Sequence, residues 1–151
     1  MHRLLIVYHS QNGRTAALAE AAVRGASTEA AVDCVCKKAF ETTVEDLLGC
    51  NGLLIGTPEN FGYMSGAIKD FFDRTYYPAE GKTVGLPFGM FISAGNDGTG
   101  AVREIGRIAL GYGWKQVAEP IIAHQENHDE ALQKCEELGA ALATGLAMGI
   151  Y

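Results

Sequence analysis

The stretch Met1–Thr15, MHRLLIVYHSQNGRT, decides the fold. After Arg3 comes an unbroken apolar run, Leu4-Leu5-Ile6-Val7-Tyr8, which suits a strand covered on both faces of a sheet. The run stops at His9-Ser10-Gln11-Asn12-Gly13-Arg14-Thr15, and Ala-rich sequence of helical character follows at once. Strand, short hydroxyl- and glycine-bearing turn, then helix is how an α/β protein builds an anion site. The first backbone N–H groups of the helix lack internal acceptors, and the helix dipole favours negative charge there. Ser10 and Thr15 supply hydroxyls, Gly13 lets the backbone approach an oxygen closely, and Arg14 adds charge-assisted hydrogen bonds. A single such loop is also what an ordinary strand–helix connection looks like, so the later loops decide the matter.

Outward from this stretch, the pattern alternates. Gly13–Ala26 reads as a helix, with Glu20 and Arg24 at i,i+4 on its wet face. Ala31–Cys36 reads as a second strand. Thr42 with Glu45 predicts a capping box that opens a short helix through Leu48. Gly52–Gly56 (GLLIG) reads as a third, fully buried strand. In Met64–Arg74, residues Met64, Ala67, Ile68, Phe71 and Phe72 recur at helical spacing as a core-facing stripe. Thr83–Ser93 carries a fourth strand that starts late because of Pro87. Thr99–Tyr112 is a helix with Ala101, Ile105, Ile108 and Tyr112 inward. Trp114–Ala123 gives a fifth strand with Pro120 near an edge or end. Asn127 with Glu130 caps a last helix that buries Ala131, Cys135, Leu138 and Leu142. Strands alternating with helices imply an α/β, three-layer α-β-α, doubly wound parallel sheet. Five strands favour the order 2-1-3-4-5, with a crevice at the carboxyl ends of strands one and three.

At 151 residues the chain fits one domain, 1–151. Hydrophobic content of 48% and charge of 20% are those of a soluble globular protein. A net charge of −6 with no Lys/Arg cluster argues against nucleic acid and anionic membrane as partners. Cys34, Cys36, Cys50 and Cys135 lack CxxC spacing, and buried reduced thiols are expected, which implies a reducing, cytoplasmic setting. The first apolar run is too short for a secretory leader, and Gly139–Ile150 is too short for a membrane span. His124 and His128 have no companion ligands, so no metal is expected.

In this sheet order the loops after strands one, three and four surround one crevice. The first, Ser10-Gln11-Asn12-Gly13-Arg14-Thr15, suits a single phosphate; it lacks the GxGxxG of a pyrophosphate site and any Walker lysine. The second, Thr57-Pro58-Glu59-Asn60-Phe61-Gly62-Tyr63, offers a rigid turn, aromatic surface and backbone N–H groups. The third, Ser93-Ala94-Gly95-Asn96-Asp97-Gly98, is small and glycine-rich, so that a flat ligand can lie against its backbone. One phosphate plus a flat heteroaromatic suggests a mononucleotide, FMN above others.

SQNGRT, GTPENFGYMSGAIKDFFDRT and FISAGNDGTG together resemble the flavodoxin-like FMN proteins. Among these, the chain is most similar to the WrbA type of NAD(P)H:quinone oxidoreductase and to NADPH-dependent FMN reductase-like proteins. The resemblance implies that Ser10, Asn12, Gly13, Arg14 and Thr15 hold the FMN phosphate, and that Pro58–Tyr63 support the isoalloxazine through backbone contacts and Phe61. It implies that the Ser93–Gly98 loop, including Ala94, Gly95 and Asn96, meets the pyrimidine edge. A tryptophan of the WrbA type after the third helix is missing; Tyr76 and Tyr77 take that neighbourhood, where either would cap a flavin in a neighbouring subunit of a dimer or tetramer.

Three functions follow as expectations. An NAD(P)H-dependent FMN oxidoreductase would reduce quinones or similar small acceptors. A flavodoxin-like carrier would pass electrons to redox proteins. A flavin-free module would act through protein contacts. The third loop contains no aromatic and the net charge is modest, which leaves one flavin face open and favours the enzyme.

Overall fold

The structure is a computed structural model that describes residues 1–151. Its sheet is built on β1 (His2–Tyr8), whose parallel neighbours are β2 (Val32–Lys38) and β3 (Gly52–Pro58). Beyond β3 lies β4 (Pro87–Ser93), completing the predicted order 2-1-3-4-5. The fifth strand is broken in two: β5 (Lys115–Gln116) pairs with the start of β4 and β6 (Ile121–Ala123) with its end. Pro120, which has no N–H to give a ladder, lies in the interruption.

The apolar run of β1 divides between the two faces because successive side chains point to opposite sides of a strand. Leu5 and Val7 join Leu53, Ile55, Ile68 and Phe71 under one layer of helices. That layer holds α2 (Val44–Leu48), α3 (Gly66–Ala79) and α4 (Thr99–Tyr112). Leu4 and Ile6 join Leu54, Phe91, Leu18 and Leu142 on the other face, beneath α1 (Arg14–Ala26) and α5 (His128–Met148). A strand with both faces buried cannot alternate in hydropathy, which is why β1, β3 and β4 read as continuous apolar stretches.

The structure shifts several boundaries. Gly13 is the N-cap of α1 rather than its first residue. The helix expected from Met64 begins at Gly66, because the Ser65 hydroxyl caps it by accepting from the Ile68 amide (3.3 Å), and it runs on past Arg74 to Ala79. On α4 the buried face is Ala101, Ile105, Ala109 and Tyr112, with Ile108 only half-buried. Asn127 occupies the N-cap of α5 as expected, but its side chain does not cap the helix; its oxygen accepts from the His124 amide and closes a 3₁₀ turn over Gln125–Asn127. Trp114 is core, and its indole N–H donates to the buried Thr83 hydroxyl (2.9 Å).

The capping box of α2 lies one residue later than expected, at Thr43 and Asp46. Burial works against the ionised form of Asp46. The Thr43 amide, the Lys37 ammonium (2.9 Å) and the Thr43 hydroxyl outweigh it and hold the carboxyl below the usual carboxylate range. A depressed pKa contributes stability above the unfolded value, about 4 for Asp, and loses it as pH falls through the folded value. Asp46→Asn is therefore expected to cost about 1 kcal/mol at neutral pH in urea denaturation. That difference should shrink below about pH 4.

The cysteines only partly match expectation. Cys50 and Cys135 are buried, but Cys34 is half-buried and Cys36 exposed, since β2 is an edge strand. All four are free thiols. Burial pushes Cys34 and Cys36 up to about 11, and Cys50 and Cys135 up to about 12. None has the depressed pKa of a nucleophile.

Candidate functional site

The three loops singled out in the sequence all leave the carboxyl ends of adjacent strands, β1, β3 and β4, and two side-chain links tie them together. The Thr15 and Ser93 hydroxyls, both buried, share a hydrogen bond of 2.7 Å that joins the first loop to the third. The Glu59 carboxylate joins the second to the third. Its two oxygens accept from the amides of Gly98 (3.1 Å) and Ala101 (3.2 Å), at the start of α4. The Glu59 amide itself donates to the Ser93 carbonyl (2.8 Å).

In the first loop, the Ser10 hydroxyl oxygen accepts from the amides of Gly13 (3.2 Å) and Ala16 (3.1 Å), and the Asn12 side chain accepts from the Arg14 amide (3.1 Å). Gly13 stands at φ 91°, where a β-carbon would be strained. Gln11 and Asn12 are exposed at the rim. Arg14 opens α1, and one of its guanidinium nitrogens, Nη2, is buried without a partner. A buried charged donor left unpaired is costly, so an anion at this helix end would remove a defect of the fold.

The second loop is a tight turn. Asn60 and Tyr63 exchange both backbone hydrogen bonds (2.9 and 3.0 Å), with Phe61 at φ 53° and Gly62 at φ 73° between them. Phe61 is the chain's one non-glycine residue in the left-handed region, and its side chain is wholly exposed. An exposed aromatic in that conformation gives up both burial and backbone ease, a combination found at ligand sites. Thr57 and Pro58 are buried at the end of β3. The Thr57 hydroxyl donates to the Pro58 carbonyl (2.8 Å) and accepts from the Ser65 amide (2.9 Å), bracing the turn from below.

The third loop leaves Gly95 and Asn96 exposed. The Ala94 amide is tied to the Ala123 carbonyl (2.8 Å), and the Asn96 carbonyl accepts from the His124 ring. Gly98 turns into α4 at φ 78°. Every expected residue thus lies at one end of the sheet. Ser10–Arg14, Asn60–Tyr63, Gly95 and Asn96 lie along the rim, Thr15, Glu59 and Ser93 link the loops to one another, and Thr57, Pro58, Ala94 and Gly98 are buried beneath. Tyr76 and Tyr77 are ten residues or more along α3 from Gly66, about 15 Å at helical rise, and lie away from these loops. They line a separate groove with Lys69, Asp73 and Arg107 between α3 and α4.

Three features escaped the sequence reading. The Thr15–Ser93 and Glu59–α4 links join residues 78 and about 40 positions apart, and no local pattern announces them. A cleft of about 580 Å³ also lies beside the first loop, walled by Tyr8, His9, Lys38 and Phe40. There the His9 and Phe40 rings meet edge to face at 6.2 Å. Phe40, an exposed aromatic just past the end of β2, is the one signal available there.

The family described as NADPH-dependent FMN reductase matches residues 3–129. A flavodoxin of Aquifex aeolicus is 27% identical over 164 residues, covering 98% of this chain and 89% of its own. An NAD(P)H dehydrogenase (quinone) of Syntrophus aciditrophicus is 27% identical over 173 residues, covering 96% and 85%. Among solved structures, a flavodoxin from the domain Archaea superposes with a TM-score of 0.83 at 23% identity, over 96% of this chain and 99% of that one. No helix of the chain is long and apolar enough to cross a membrane.

Proposed function

This chain belongs to the NADPH-dependent FMN reductase family, and we propose that it acts as a single flavodoxin-like domain, residues 1–151, that reduces quinones or similar two-electron acceptors with NAD(P)H. Its cofactor is FMN. The residues at the three loops fit that group. Arg14, with its unpartnered buried nitrogen, and the start of α1 suit a phosphate dianion, and this is the observation that carries the assignment. Ser10, Gln11, Asn12, Gly13 and Thr15 surround the same helix end. Phe61 and the backbone of Pro58–Tyr63 would support the ring, and Ser93, Ala94, Gly95, Asn96 and Gly98 would meet its polar edge. Held there, FMN would supply two-electron hydride chemistry between NAD(P)H and the acceptor; the protein's share is position and access.

The third loop brings no aromatic side chain to this end of the sheet, so one ring face would stay open to a nicotinamide or an acceptor. The Tyr76–Tyr77 end of α3 is where a second copy would pack in a homo-oligomer; Tyr77 is largely exposed there. Four free thiols support a reducing, cytoplasmic setting. The similarity to the Aquifex aeolicus flavodoxin along 98% of the chain favours a carrier as the second reading.

Anaerobic NADPH or NADH added to the FMN-loaded protein separates the two. Bleaching of the flavin bands within seconds is the expected result. Bands that persist until dithionite is added would give the carrier, and a protein that takes up no FMN would leave the interaction module.

A further inference from the structure

The Glu59 side chain, unlike its backbone, has no part in the roles assigned above to the loop that supports the FMN ring. Its position, one residue past the buried end of β3, would let it reach solvent or substrate. Instead both carboxylate oxygens turn onto the first amides of α4. Those amides are donors without helical acceptors, and they carry the positive end of the helix dipole. Gly98, the N-cap of α4, offers no side chain; Asp97 accepts from the Thr99 amide (3.0 Å), and Glu59 supplies from another loop the acceptors for the Gly98 and Ala101 amides. The fit is close on the neighbouring side too. A β-carbon at Gly100 would collide with the backbone carbonyl of Gly62, so the Asn60–Tyr63 turn rests directly on the first turn of α4. Charge and contact therefore act at one junction, between the loop carrying Phe61 and the loop carrying Gly95 and Asn96.

We propose that Glu59 is a positioning residue of the flavin site, fixing the Asn60–Tyr63 turn against α4 and, together with Asp97 on the Thr99 amide, offsetting the helix's positive end. This rests on the reading that these two loops hold the FMN ring. Two-electron reduction adds negative charge to the ring system. The helix N-terminus beside it favours the reduced form; the Glu59 carboxylate opposes this, adding to the charge that Asp97 already places there. Glu59 thus lowers the potential of the bound FMN and favours onward transfer of its electrons. The Phe61 turn is held in its left-handed conformation by the same contact.

The test compares wild type, E59Q, E59D and G100A, each freed of flavin and reloaded with FMN. Affinity is read by flavin fluorescence, and the two-electron midpoint potential against a reference dye. E59Q keeps the side chain's size but removes its charge, and one of its two acceptor oxygens becomes an NH₂. Its midpoint potential should rise, while E59D, which retains the charge, stays closer to wild type. G100A changes no charge; it should weaken FMN binding several-fold by displacing the turn. An E59Q potential equal to wild type, with FMN bound at wild-type affinity, overturns the electrostatic role. Unchanged affinity in G100A overturns the positional one, and this variant decides that point even if E59Q does not fold. Wild-type protein that binds no FMN overturns the functional reading itself, an outcome distinct from either.

Discussion

Alanine at Gly25 or Gly139 is expected to destabilise the protein by about 3 kcal/mol or more. Helices α1 and α5 cross where these two glycines face the partner's backbone. A β-carbon at Gly25 would fall on the carbonyl oxygen of Glu136, and one at Gly139 on the carbonyl oxygen of Ala22. Backbone cannot rotate aside as a side chain can, so the helices must separate, and Leu18, Ala22, Cys135 and Leu142 lose their packing. Urea denaturation measures the loss. Gly106→Ala is the control. Gly106 lies within α4 with open space around its α-carbon, and alanine there should add about 0.5–1 kcal/mol. The same separation would carry a functional consequence, because α1 holds the first loop in place. Any Gly25→Ala protein that folds should bind FMN more weakly than wild type.

Arg14→Ala should have opposite effects on the free and the loaded protein. In the free protein it removes a buried guanidinium nitrogen that no group satisfies, so stability should hold or rise. In the loaded protein it removes a charge-assisted bond to phosphate, worth about 1.5–3 kcal/mol, or roughly ten- to a hundredfold in affinity. Flavin fluorescence titration together with urea denaturation reads both signs. A loss of stability in the free protein matching the loss of affinity would mean that Arg14 only holds the fold together.

Much of this was legible along the chain. The unbroken runs Leu4–Tyr8 and Gly52–Gly56 state that both faces of their strands are covered, and the helix periods between them state the alternation. From these the sheet order and the crevice follow, because parallel connections leave few topologies. The loops were legible as well, since glycine, hydroxyls and an arginine between strand and helix have a local physical meaning. The division of labour inside the loops was not. Thr15 and Ser93 look like phosphate and ring ligands, yet their hydroxyls bind one another, and only the packing of β1 beside β3 and β3 beside β4 brings them together. Glu59 looks like a surface glutamate until the start of α4 is placed beside it. The late capping box at Thr43 and the break in the fifth strand are smaller failures, set by which hydroxyl reaches an amide and by Pro120, which has no N–H to give the ladder.

The central claim is that the end of α1, with Arg14, is a phosphate site that anchors FMN. The most direct measurement is a pair of fluorescence titrations of the flavin-free protein, one with FMN and one with riboflavin, which has the same ring and ribityl chain but no phosphate. Binding of FMN at least a hundredfold tighter than riboflavin is the predicted result, from two or more charge-assisted bonds of about 1.5–3 kcal/mol each. Equal affinity for the two flavins would contradict it, and would place the binding energy in the ring loops alone.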